Sequence, residues 1–228
     1  MAYTNTLKRI RQHKTNYRKR SAVLIGRRPF ISTKISSQNI SAQFLKPNLT
    51  GDVVIASAHS RELIQYGWKG SMNSMPACYL TGLLLGKKSL EKGAANAVLY
   101  TGNAPFTTRV AACLKGIVDS GIDIPVSKKS LPDEDRITGK HIAEYANLLK
   151  DNQEKYNSRF SALIKQGLKP EDYQRHFEEI RVRISHKAPP ENKRLKVSNQ
   201  VDELSKDEFN NTSVTKLKSF SRGGSKQE

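Results

Sequence analysis

Three stretches of this sequence hold residue types that could do chemistry, and each points to a different ligand or reaction. Residues 82–89 (GLLLGKKS) resemble a loop that wraps phosphates, residues 133–135 (DED) could hold a divalent metal, and residues 14–20 (KTNYRKR) set phosphate donors beside an amide and an aromatic ring. A phosphate loop needs four residues between its glycines and then Gly-Lys-Ser/Thr after a strand, so that backbone N–H groups surround the anion. Here three residues separate Gly82 from Gly86, Lys88 follows Lys87, and Leu83, Leu84 and Leu85 continue a helical pattern. The better reading is two glycines that let helices pack closely, with both lysines emerging toward RNA or solvent. A two-metal nuclease needs several carboxylates projecting from neighbouring strands and a helix. The candidate strands at 30–35 and 97–100 have none, and the acidic triplet follows Pro132 in a loop beside Arg136, where capping and ion pairing are its expected work. The histidines at 13, 59, 141, 176 and 186 have no HExxH or i, i+4 partner and no GxSxG elbow occurs, so they are expected on the surface or facing RNA.

The basic run belongs to a wider asymmetry. Lys plus Arg number 39 against 21 Asp plus Glu, a net charge of +18 with pI near 9.9, which favours a polyanionic partner. Residues 1–34 carry ten basic residues and no acid, residues 35–150 carry 13 and 9, and residues 151–228 carry 16 and 12, so +10 of the +18 lies in the first segment. Such a segment is expected to lie along phosphates as an arm ordered mainly by its partner. No window of about 18 apolar residues suggests a membrane span, and no apolar run follows the N-terminal charges as in a signal peptide. Cys78 and Cys113 stand in apolar helical contexts without a CxxC pair, so both are expected to be small core residues in a reducing compartment and not zinc ligands.

The elements that must position these groups follow from periodicity. Residues 30–35 alternate, with Ile31, Thr33 and Ile35 on one face; Ile40, Ala42 and Phe44 alternate after a turn; and residues 52–56 (DVVIA) read as a more continuous, central strand. A short helix at 60–66 stops at Gly67, and a buried one begins near Ser74, with Pro76 in its first turn, and ends before Gly93. Residues 97–100 are a fourth strand, Thr107 or Thr108 caps a helix that Gly121 closes, and residues 122–126 are an edge strand limited by Pro125. The fold expected is α/β, a mixed sheet with helices packed on it in a ribonuclease H-like element order. Residues 141–186 form a helical extension broken at Gly167, with Tyr173, Phe177, Ile180 and Ile184 as an apolar stripe. The domain organisation is therefore a basic arm at 1–20, an α/β domain at 21–140, the extension at 141–186, and a polar, flexible tail at 187–228.

Within this frame the basic run is the strongest functional signal. Lys14, Thr15, Asn16, Tyr17, Arg18, Lys19 and Arg20 mix phosphate donors, an amide and a ring that can stack, as folded RNA requires. Arg27 and Arg28 extend the charge onto the sheet edge. The competing reading, a solvated or membrane-surface arm, lacks the amphipathic apolar face that membrane binding needs. Residues 66–70 (YGWKG) place the single Trp between two glycines beside Lys69, where an indole can stack on a base or close over the core.

Taken together, KTNYRKR, RRPFISTKIS, YGWKG, YLTGLLLGKKSLEKG, LYTGNAPFTTRVAACLKG and PDEDRITGKHI resemble, in order and spacing, the archaeal and eukaryotic branch of the universal large-subunit ribosomal protein family that binds 5S ribosomal RNA. The resemblance runs from about Arg9 to Ile184. It implies a non-catalytic constituent of the cytoplasmic ribosome that binds 5S rRNA and helps attach it to the large rRNA in the central protuberance, beside neighbouring ribosomal proteins. It implies no cofactor, metal, membrane or small-molecule substrate. By matching position, the RNA contacts would be Arg9, Arg11, Lys14, Thr15, Tyr17, Arg18 and Arg20 in the arm, Arg27, Arg28 and Lys34 at the sheet edge, and Trp68 and Lys69 in the loop. Asn16 stands where the family usually has Asp, which makes the arm still more positive, and the tail after Lys187 matches no family pattern. A ribonuclease H-like nuclease or a nucleotide-dependent factor is the contending class, disfavoured by the missing carboxylates and the miscounted glycines; a free RNA chaperone would share the charge pattern.

Overall fold

Alternating side chains build the sheet. In β1 (Phe30–Ile35) and β2 (Ile40–Lys46) Ile31 and Thr33 pair with Phe44 and Ala42 on the buried face, while Ser32 and Lys34 pair with Gln43 and Ser41 on the other. The turn between them is closed by Ser36, whose hydroxyl donates to Asn39 O and accepts from Asn39 N–H at 2.8 and 2.9 Å. β3 (Val53–His59) runs antiparallel to β2 with a register shift at Phe44 and Leu45, and β4 (Val98–Leu99) pairs parallel with Phe30 and Ile31, giving the order β3-β2-β1-β4. The computed structural model describes residues 7–48 and 51–186; the tail expected at 187–228 lies outside them.

Two strands differ from expectation. β3 is an edge strand, not a central one: Val53 and Val54 are exposed, and the strand buries only the small side chains of Ala56 and Ala58. Residues 122–126 are not a strand. They make one parallel bridge, Asn96 with Asp123, and Pro125 has no N–H with which to extend it. The last strand of a ribonuclease H-like order is thereby reduced to that bridge.

One face of the sheet is covered by α3 (Met75–Glu91), which begins where Ser74 Oγ accepts from Ala77 N–H at 3.4 Å. Behind it lies α4 (Thr108–Asp119), capped by Thr107. The two backbones approach closely because a Cβ on Gly82 would collide with the Cys113 carbonyl, one on Gly116 with the Tyr79 carbonyl, and one on Gly86 with the Ser120 hydroxyl. Residues 82–89 are therefore helix, and their glycines serve packing. Cys78 and Cys113 are buried, unpaired thiols of this same core, and burial pushes the Cys113 thiol up to about 12. The lysines do not emerge as expected. Lys88 is 9 % exposed and its ammonium meets the Glu62 carboxylate and Ser57 O, while Lys87 Nζ donates to Ile184 O and Ser185 O at 3.0 and 2.9 Å. A cation on the last carbonyls of a helix satisfies groups that have no partner within the helix.

That helix is α8 (Tyr173–His186), reached through α5 (Glu134–Thr138), α6 (Lys140–Leu148) and α7 (Gln153–Lys165). Gly167, in the left-handed region at φ +70°, ends α7 as its sequence position suggested. Tyr173, Phe177, Ile180 and Ile184 are each at most 1 % exposed and belong to the core that also holds Tyr79, Leu80 and Phe44. The extension thus packs into the domain's own core. No helix among the described residues is long and apolar enough to cross a membrane.

Trp68 belongs to this core and not to an RNA surface. It is 3 % exposed, stacks on His176 at 5.3 Å and 19°, meets the Tyr173 ring edge-on at 5.6 Å, and donates Nε1–H to Ser71 O at 3.4 Å. Gly70 is required beside it, since a Cβ there would lie 2.6 Å from the indole. His176 is likewise structural: its Nε2 accepts the Lys69 N–H at 3.1 Å. His59, also expected to face outward, caps the 3-10 helix Ser60–Tyr66 by accepting from Arg61 N–H, in a reciprocal box with Glu62.

Trp68→Ala should therefore lower unfolding stability by about 3 to 5 kcal/mol; a urea midpoint within experimental error of wild type would return the indole to the surface. His176 gives a second expectation. Burial, helped by the cations of Lys69 and Arg183 and opposed by Glu179, holds its pKa below the usual 6.5. The unfolded chain then binds the proton more readily than the folded one, so this contribution is complete above pH 6.5 and is lost as pH falls through 6.5 toward the lower folded value. His176→Gln should flatten the stability profile between about pH 5 and 7, read as the difference from wild type in urea midpoints; parallel profiles would count against the linkage.

Candidate nucleic-acid interface

The arm carries its own helix signals, and they operate without a partner. α1 (Lys8–Arg11) and α2 (Tyr17–Ile25) flank a turn in which Arg9 Nε donates to Thr15 Oγ1 at 2.9 Å. Asn16 caps α2 by accepting from Lys19 N–H at 3.1 Å. Helices this short are marginal alone, so contacts with the domain matter. Lys19 Nζ donates to Gly102 O at 3.3 Å, Asn103 Nδ2 donates to His13 O, and Arg20 is ion-paired with Asp52 while its guanidinium lies over the rings of Phe30 and Tyr100 at 5.0 and 5.9 Å.

Between this anchored arm and the sheet lies a groove of about 690 Å³. It exists because β4 pairs with β1 only at Phe30 and Ile31, leaving β1 from Ser32 onward without a paired strand on that side among the described residues. Lys34 projects there from the face opposite the core. Six of the residues expected from sequence meet in the groove: Arg9, Lys14, Thr15, Tyr17, Arg20 and Lys34. The others do not line it. Arg11 and Arg18 are exposed elsewhere on the arm, and Arg27 and Arg28 are exposed in the link from α2 to β1, with Arg27 in the left-handed region at φ +49°. Lys69 is exposed beside α8, and Trp68 is interior.

The groove also has walls that sequence reasoning did not assign. Tyr100 and the loop at 101–104 form one side, and Asp52 stands at its lip. The TGN turn between a strand and a threonine cap was visible in the sequence, but only the parallel pairing of β4 with β1 brings that turn beside Lys34. Asp52 had a plainer signal, being the first acidic residue of the chain.

Among the described residues four cations and one carboxylate thus face a groove whose rim carries Tyr17, a residue 37 % exposed. Such a surface can bind successive phosphates electrostatically and stack an unpaired base. The acidic triplet is elsewhere engaged: Glu134 pairs with Lys115 at 3.6 Å and Asp135 with Lys140 at 3.3 Å, while Asp133 occupies the N-cap of α5 without a side-chain hydrogen bond. Among the described residues no group of three or more His, Cys, Asp or Glu could hold a metal.

Comparison with known proteins points the same way as this surface. Residues 1–109 match the family described as ribosomal large subunit proteins 60S L5, and 50S L18. The chain is 43% identical over 185 residues to the large ribosomal subunit protein uL18 of Thermofilum pendens, covering 80% of this chain and 94% of that one. It is 40% identical over 179 residues to the uL18 of Methanococcus maripaludis, covering 78% and 93%. Identity at that level over nearly the whole of each relative leaves one conclusion, that this chain belongs to the uL18 family of large ribosomal subunit proteins.

Proposed function

We propose that this protein is a non-catalytic component of the cytoplasmic large ribosomal subunit, holding 5S rRNA and helping to attach it to the large rRNA at the central protuberance, next to other ribosomal proteins. The observation that carries the reading is the groove, in which the arm and the open part of β1 bring Arg9, Lys14, Arg20 and Lys34 to one surface. Folded RNA fits it better than a small anion. The cations are spread along a channel with an aromatic and several hydroxyl and amide groups between them, and they do not converge on one point as in a phosphate loop. The 5S assignment rests on the sequence motifs that resemble the 5S-binding family. Arg11, Arg18, Arg27 and Arg28, exposed outside the groove, are suited to a second RNA, and the large rRNA is the one proposed. A free chaperone is distinguished by sedimentation, since a subunit component co-migrates with large subunits at moderate salt.

Replacing Arg9, Lys14 and Lys34 together by Gln should lower the slope of log K against log salt for a 5S transcript by about 2 to 3, at about 0.7 to 0.9 per lost phosphate contact. Replacing the exposed Lys155 on α7 should leave the slope as in wild type. A triple variant with the wild-type slope would show that the groove is not the 5S site. The purified protein should also lack nuclease and NTPase activity. Metal-dependent cleavage abolished by Asp133→Asn would contradict a purely structural role.

A further inference from the structure

Asp52 is the one acid among the described residues that line the groove. Asp52 lies against Arg20 in a surface that otherwise presents Arg9, Lys14 and Lys34, and its carboxylate is ion-paired with the Arg20 guanidinium. The pair is open to the groove, with side-chain exposures of 19% for Arg20 and 26% for Asp52. Its two halves are held unequally. Arg20 sits on α2 and over the rings of Phe30 and Tyr100, contacts that do not involve Asp52. Asp52 follows Gly51, and a Cβ at residue 51 would meet nothing within 4 Å. The cation is packed in place; the carboxylate, on an exposed residue just before β3, is held by the ion pair.

A guanidinium offers a phosphate the same planar fork of donors that it offers a carboxylate. We infer that Asp52 holds the place of an RNA backbone phosphate on Arg20, and that RNA binding exchanges the one anion for the other. The inference rests on the RNA-binding reading of the groove. It is not a claim that Asp52 tethers the arm, which keeps the Lys19 contact to Gly102 O, the Asn103 contact to His13 O and the two ring contacts of Arg20 without it. Its consequence is selectivity. A polyanion that reaches only Arg20 must displace an intramolecular partner and gains little, whereas an RNA that also meets Arg9, Lys14 and Lys34 drives the exchange. The carboxylate therefore lowers affinity for every anion and discriminates most against the poorly fitting ones.

The test uses the full-length protein with a 5S transcript and with heparin as a polyanion of no particular shape. Asp52→Asn should tighten 5S binding by about 2- to 10-fold, the range expected for release of a partly exposed ion pair, and should tighten heparin binding by a larger factor. Asp52→Ser should do the same, which guards against an effect peculiar to one replacement. In an Arg20→Gln background Asp52→Asn should change affinity by less than about 2-fold, because the carboxylate acts through Arg20. Asp151→Asn, which removes one exposed charge on the link between α6 and α7, should have no effect. The proposal is overturned if folded Asp52→Asn and Asp52→Ser bind 5S no tighter than wild type, or if Asp151→Asn gives the same gain. It is overturned equally if the gain persists without Arg20. Wild-type protein that fails to bind 5S at all would instead remove the reading of the groove on which the proposal stands.

Discussion

The close approach of two helix backbones underlies the rest of this molecule. α3 and α4 meet through Gly82, Gly86 and Gly116, where any side chain would collide with a carbonyl or hydroxyl of the opposite helix. With α4 that near, α3 becomes an interior layer, buried by the sheet on one side and by α4 and α8 on others, and it needs apolar or small residues almost all round. α3 then covers one face of the sheet, with α4 and α8 packed against α3. The other face, with Ser32, Lys34, Ser41 and Gln43, is left for the arm and for the groove proposed to take RNA.

Charge and packing divide the work on that second face. The net charge alone favours a polyanion and says nothing of where it binds. The arm's helix cap, its hydrogen bonds to the loop after β4, and the stacking of Arg20 on Phe30 and Tyr100 turn diffuse positive charge into a channel with fixed walls. Preorganisation of this kind removes part of the ordering cost that a disordered basic segment meets on binding.

Much of the fold was legible because its signals are local. Alternation marked β1 and β2, Ser74 with Pro76 and Thr107 marked the starts of α3 and α4, and the Tyr173, Phe177, Ile180 and Ile184 spacing marked the buried stripe of α8. The errors have a common cause, which is that local pattern does not report tertiary neighbours. Residues 52–56 look central, yet no strand among the described residues lies beyond β3 to bury them; residues 122–126 look like a strand, yet only one bridge forms. Lys87 and Lys88 read as surface cations because nothing near them in sequence announces the Ile184 carbonyl or the Glu62 carboxylate. The site divides the same way: the arm's basic residues are plain in the sequence, while the residue 101–104 wall arises from the long-range parallel pairing of Phe30 with Val98 and of Ile31 with Leu99.

The stacking of Trp68 on His176 has one further consequence, for how the protein can be watched. The chain's only tryptophan reports on the docking of α8, whose imidazole lies against the indole, and it lies outside the groove proposed for RNA. Its emission is therefore an internal gauge of whether α8 is seated. RNA added to the intact protein should leave that signal quiet unless binding reaches through the core.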